Sequence, residues 1–181
     1  MAGPIRTDSI VDHTEVVWVD ENIHEYIQTQ QKFRQNIKTL YTFNDAEKCV
    51  QYIVANPTKK VFLIIRGSLA TQILQREEDL KSIINVYIFC LNKNRYKNEL
   101  ENNYQKVKSG GIFDHDEDLL LKIMEDMVNF FEQEEPNGKG GEEAQKLKEL
   151  HDKLYKTKCT LMWKQAPFEE DRPSESASDL T

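Results

Sequence analysis

Residues 61–65, Val-Phe-Leu-Ile-Ile, form an uninterrupted apolar run. Turn formers bound it, Asn56-Pro57 before and Gly67-Ser68 after. The run is too short to span a bilayer and lacks the alternation of a strand with one wet face. Val61, Ile64 and Ile65 are β-branched, as strands favour. The run therefore reads as a strand buried on both faces. Such a strand demands helices above and below it, as in a parallel α/β sheet.

The flanking chain supplies those layers. Glu15 to Asp20 (EVVWVD) is a second strand-like run, with Trp18 as a core side chain, and a polar, helix-compatible stretch follows it. Ile37 to Phe43 alternates apolar and polar residues, as a half-buried strand does. Asn44-Asp45-Ala46-Glu47 has the form of a capping box. It predicts a helix with Ala46, Val50, Ile53 and Val54 on one face, ending before Pro57. Leu69 to Leu80 is weakly helical, with Ile73 and Leu74 suited to burial. Ile83 to Leu91 is a further strand that includes Cys90, and Asn92 to Lys106 is polar and helix-compatible. Ile112-Phe113 is a short strand after Gly110-Gly111. Leu119, Leu120, Ile123, Met124, Met127, Phe130 and Phe131 then trace an amphipathic helix, for which Asp116 is the expected N-cap.

Strands alternating with helices imply right-handed crossovers and a parallel sheet. Five strands suggest a three-layer flavodoxin-like (receiver-like) α/β fold of order 2-1-3-4-5, with a C-terminal helical appendage. In that order strands 1 and 3, two of the most apolar runs, are central neighbours. A six-stranded doubly wound sheet of other order is the alternative.

The expected organisation is a flexible leader at 1–14, the α/β domain at 15–131 and an acidic, then Pro/Gly-rich linker at 132–141. A helical appendage at 142–163 and a disordered acidic tail at 164–181 complete it. Trp163, beside Leu161 and Met162, either anchors the appendage or meets a partner. With 24 Lys and Arg against 31 Asp and Glu, the net charge of −7 disfavours nucleic acid and anionic membranes as partners. No apolar run is long enough for a membrane span, and Met1 to Thr14 has no signal-peptide core. Three widely spaced cysteines fit reduced thiols, so a cytoplasmic protein is expected.

In a sheet of this order, ligands bind at the carboxyl ends of strands 1 and 3. Asp20, Glu21, Arg66, Gly67, Ser68 and Asn92 are the residues expected there. Asp20-Glu21 has two readings: a magnesium site like that of bacterial receiver domains, or an acidic loop start in an acidic protein. The remaining receiver chemistry is missing. Arg66 stands where an acceptor Asp would end strand 3, Asn92 follows strand 4 in place of Ser or Thr, and Asp114 follows strand 5 in place of Lys. No glycine-rich phosphate loop, nucleophile elbow or zinc-ligand spacing occurs. No catalytic residue, metal or cofactor is therefore assigned. Adjacency of strands 1 and 3 leads us to expect Arg66 near Asp20 and Glu21, with an Arg66–Asp20 contact that puts a fixed positive charge in the place of a metal ion; the alternative is an Arg66 directed to solvent.

The blocks VVWVDENI, IKTLYTFNDAEKCVQYI, KKVFLIIRGSLATQIL and VYIFCLNKNR resemble a receiver-like N-terminal domain of bdelloid rotifer and related eukaryotic proteins. The matching residues are Val17, Trp18, Asp20, Asn22, Phe43, Asp45, Cys49, Tyr52, Ile53, Gly67, Leu69 and Ile73. In that family the domain is often fused to tetratricopeptide repeats or mono-ADP-ribosyltransferase domains. The resemblance covers about residues 15–125, and Arg66 departs from the Ser usual before the glycine. It implies a non-catalytic protein-interaction or regulatory module with an unknown protein partner. The alternatives are an accessory fragment of an NAD-dependent ADP-ribosyltransferase protein, or a sensor of a small anion or nucleotide at the switch point.

Overall fold

Burial on both faces places the Val61–Ile65 run at the centre of a five-stranded parallel sheet of order β2-β1-β3-β4-β5. The computed structural model describes residues 8–165, apart from the side chain of Glu77. The strands are β1 (Thr14–Val19), β2 (Leu40–Phe43), β3 (Lys60–Arg66), β4 (Ile83–Phe89) and β5 (Gly111–Phe113). Between them lie α1 (Ile27–Asn36), α2 (Ala46–Ala55), α3 (Ala70–Leu74), α4 (Lys93–Asn103) and α5 (Gln105–Gly110); α6 (Asp116–Glu134) and α7 (Lys139–Gln165) follow β5. All four strand pairings are parallel, and Val17 lies opposite Leu63 in the central one. The flavodoxin-like strand order read from the sequence is the observed one.

The period-two geometry of the strands divides the core in two. Val17, Val19, Leu63, Ile65, Val86 and Ile88 pack against α2, α3, α4 and α5. Val16, Trp18, Phe62, Ile64 and Tyr87 face α1, α6 and the start of α7. Trp18 is fully buried between Tyr26, Phe33 and Phe89, with ring centroids 5.6–5.8 Å away. The connection from α5 into β5 depends on two glycines. A Cβ on Gly110 would lie 2.0 Å from the Val86 carbonyl oxygen, and Gly111 has φ +114°, a conformation other residues avoid.

The structure corrects several local expectations. Ser9 to His13 are packed rather than part of a flexible leader. A 3-10 turn at Ile10–His13 buries Val11, and the Ser9 hydroxyl and Ile10 amide donate to Glu135 Oε2 at 2.6 and 3.2 Å. The linker shrinks to residues 135–138, because Glu132 to Glu134 stay helical and α7 already starts at Lys139. The appendage joins the core at its start, where Ala144 and Leu147 are buried against α6. α7 runs antiparallel to α6, with Lys148 bridging Glu132 and Lys158 bridging Asp118. The leader residues 1–7 and, of the acidic tail, residues 166–181 lie outside the described residues.

Two caps shift by one position. Asp45, not Asn44, caps α2, its carboxylate accepting from the Lys48 amide at 2.9 Å; Glu47 instead accepts from Arg76 at 2.8 Å. The helix therefore buries Ala46, Cys49, Val50 and Ile53, and Val54 is exposed. His115 occupies the N-cap of α6 without a side-chain bond, and Asp116 is the first helical residue, paired with Lys32 at 3.0 Å. Trp163 is 83% exposed and anchors nothing among the described residues.

Candidate functional site

Chain direction builds the site. From β1 the chain leaves toward β2 on one side, and from β3 it leaves toward β4 on the other. The divergence opens a crevice above the carboxyl ends of the two strands. Here it is a cleft of about 320 Å³, walled by the residues that follow β1, β3 and β4.

Asp20 lies at its base and is 1% exposed. Its backbone is fixed on both sides: the amide donates to Phe43 O at 3.0 Å, and the carbonyl accepts from the Ile23 amide at 3.0 Å. Its side chain folds over the next turn, where Oδ1 accepts from the Asn22 amide at 2.8 Å. The same oxygen accepts from Arg66 Nη1 at 3.0 Å. A carboxylate this deeply buried needs a compensating charge, and the guanidinium supplies it. The hydrogen bond to Asp20 holds the Arg66 pKa above its ordinary value, against the opposing effect of burial. Arg66 is about one-third exposed and also borders the cleft. Of the two orientations weighed from the sequence, the structure has the one in which Arg66 meets Asp20.

The other sequence-derived residues divide. Gly67 and Ser68 line the cleft directly after β3. Gly67 has a steric role: a Cβ there would come within 2.6 Å of the Tyr96 ring, so the absence of a side chain lets that ring close against the end of β3. Asn92 lines the cleft and caps α4, its Oδ1 accepting from the Arg95 amide at 3.3 Å. Glu21 is exposed and is not among the lining residues. Asp20 thus acts without the neighbour that would make a carboxylate pair. Among the described residues, no group of three or more His, Cys, Asp or Glu side chains could hold a metal ion.

Four side chains that matter here escaped the sequence reading. Tyr26 and Phe89 form an aromatic wall, their centroids 6.0 Å apart, and Arg95 and Tyr96 face them from α4. The Arg95 guanidinium carbon is 5.5 Å from the Tyr96 centroid. A usable signal existed for the second pair. Once Asn92 is read as a cap after strand 4, the residues three and four positions on belong to the first turn of α4, beside the strand ends. Cys90 also lines the cleft. Burial, and then the Asp114 carboxylate, push its thiol up, so it is kept protonated and a poor nucleophile.

The site pairs one buried carboxylate with one guanidinium, adds a second guanidinium at the rim, and surrounds both with aromatic rings. It offers no acceptor carboxylate at the end of β3. Among the described residues no helix is long and apolar enough to cross a membrane. Set against family models, curated proteins and solved structures, the chain matches none of them.

Proposed function

We propose that this protein is a non-catalytic, receiver-like regulatory module that works through protein contact. The carrying observation is the Arg66–Asp20 ion pair. A receiver switches by gathering a divalent cation and a phosphoryl group around carboxylates. Here a permanently protonated side chain holds the one buried carboxylate at that place. On this reading the pair fixes the module in one state.

The contact surface proposed for the partner is the end of α7, where Leu161, Met162 and Trp163 are exposed. Trp is among the residues that most often anchor interfaces. The free thiols Cys49, Cys90 and Cys159 support a reducing compartment, and we place the protein in the cytoplasm.

The test is a magnesium titration of the full chain, followed by NMR, with and without a small phosphoryl donor. We expect no saturable magnesium binding and no gain of a phosphoryl group in the wild type, and any residual magnesium affinity to rise in Arg66→Ala. Tight magnesium binding by the wild type, left unimproved by Arg66→Ala, overturns the reading.

A further inference from the structure

The ion pair does not use up the cleft. Arg66 carries five N–H donors in a planar fork, and its hydrogen bond to Asp20 runs through Nη1 alone. Arg66 borders the cleft together with Ser68 and Arg95. Among the lining residues two arginines stand against one carboxylate, Asp20, while the Glu21 and Asp114 charges reach Arg66 and Cys90 from outside the lining. Two guanidinium groups at one cleft attract anions locally even in a chain of net charge −7. Guanidinium groups also match the geometry of phosphate and carboxylate oxygens.

The apolar part of the lining narrows the ligand further. Tyr26 and Phe89 stand on one side and the Tyr96 ring on the other, and bare Gly67 is what permits the position of Tyr96. Rings facing a cleft beside a guanidinium suit a flat π-system, by stacking and by cation–π contact. The volume of about 320 Å³ lies at the lower end of small-molecule sites, which fits one ring system and one phosphate rather than a dinucleotide.

We infer that this cleft binds a small aromatic phosphate of mononucleotide size, its phosphate between Arg66 and Arg95 and its ring against Tyr96. The inference rests on the reading of Arg66–Asp20 as a closed ion pair, which keeps the guanidinium in place without a metal ion.

The full-length protein, in EDTA, is titrated with AMP, adenosine and inorganic phosphate, and binding is followed by NMR shifts of the lining residues and by Tm. AMP is expected to perturb Ser68, Arg95 and Tyr96 and to raise Tm more than adenosine or phosphate at the same concentration. Arg95 is exposed, so Arg95→Ala is expected to keep the fold and should weaken AMP binding about tenfold, the loss of one charge-assisted contact. Tyr96→Leu should lower AMP affinity toward that of phosphate. No AMP response at millimolar concentration either in EDTA or in magnesium, a response unchanged in Arg95→Ala, or equal responses to AMP and phosphate would each overturn the inference. A response that appears only when magnesium replaces EDTA would overturn the closed ion pair while leaving an aromatic phosphate in the cleft, so the two readings fail separately.

Discussion

Among the described residues, Glu15 is the carboxylate whose two oxygens are both buried without a hydrogen-bond partner. It lies on β1 at 1% exposure, and neither carboxylate oxygen meets hydrogen-bond geometry with a described residue. Burial pushes its carboxyl above the usual range, with Tyr52 and Lys59 pulling back only in part. The sign of the linkage follows. Below the ordinary value of 4.5 the group is protonated whether the chain is folded or not, and it costs nothing. As pH rises through the elevated folded value, the native state must either keep the proton or bury a charge, and stability falls. Glu15→Gln removes that dependence. Its Tm should exceed that of the wild type by a margin that widens as pH rises above 4.5 and closes toward acid; parallel Tm–pH curves for the two proteins would show that Glu15 is not strained. Sequence reading could not find this residue. Glu15 reads as the polar start of a strand, and its burial beside Tyr52 of α2 and Lys59 is set by tertiary packing. Asp20 and Arg66 were legible for the opposite reason. Both end strands whose neighbours follow from the topology, and topology alone brings strand ends together.

Between elements, one polar network fastens α6 to the sheet. The Tyr87 hydroxyl on β4 donates to Asp126 Oδ2 at 2.7 Å, Asn85 donates to the same oxygen at 3.1 Å, and Lys122 donates to Oδ1 at 2.7 Å. Tyr87 is fully buried, and its phenol is pushed well above the ordinary value, first by burial and then by the Asp126 charge. Tyr87→Phe removes one of three donors to a nearly buried carboxylate and should cost about 1–3 kcal/mol, measured by denaturant unfolding; a loss below about 0.5 kcal/mol would mean that Asn85 and Lys122 suffice. The amphipathic stripe of α6 was plain in the sequence, but this fastening was not. Asp126 falls on what looks like a solvated face, and its partners lie about forty residues earlier on β4. The helix ends were the least legible features for a related reason. Asn44 and Asp45 are both good caps by residue type, and the sequence alone does not choose between them. The Glu135 carboxylate at the end of α6 likewise draws Ser9 and Ile10 out of a leader whose composition promises only a loose end.

At the scale of the molecule, the sheet is long in the middle and short at its margins. β3 and β4 have seven residues each, β2 four and β5 three. Amide hydrogen exchange should follow that gradient. The amides of β1, β3 and the centre of β4 should exchange last, through global unfolding, and those of β2, β5 and the last turns of α7 should exchange early through local opening. A β3 that exchanged as fast as β5 would contradict its central, double-faced burial. The short margins also bear on how the protein avoids its own kind. An open strand edge is a template on which a second chain can add, and residues 61–65 have the apolar, β-branched, uncharged composition that such addition favours. They are kept two strands from either margin. On the β5 side the barrier is three residues held by Gly110 and Gly111. Were β5 to lift away, all of β4 would become an edge, and the route from native chain to strand-paired aggregate would open at a pair of glycines.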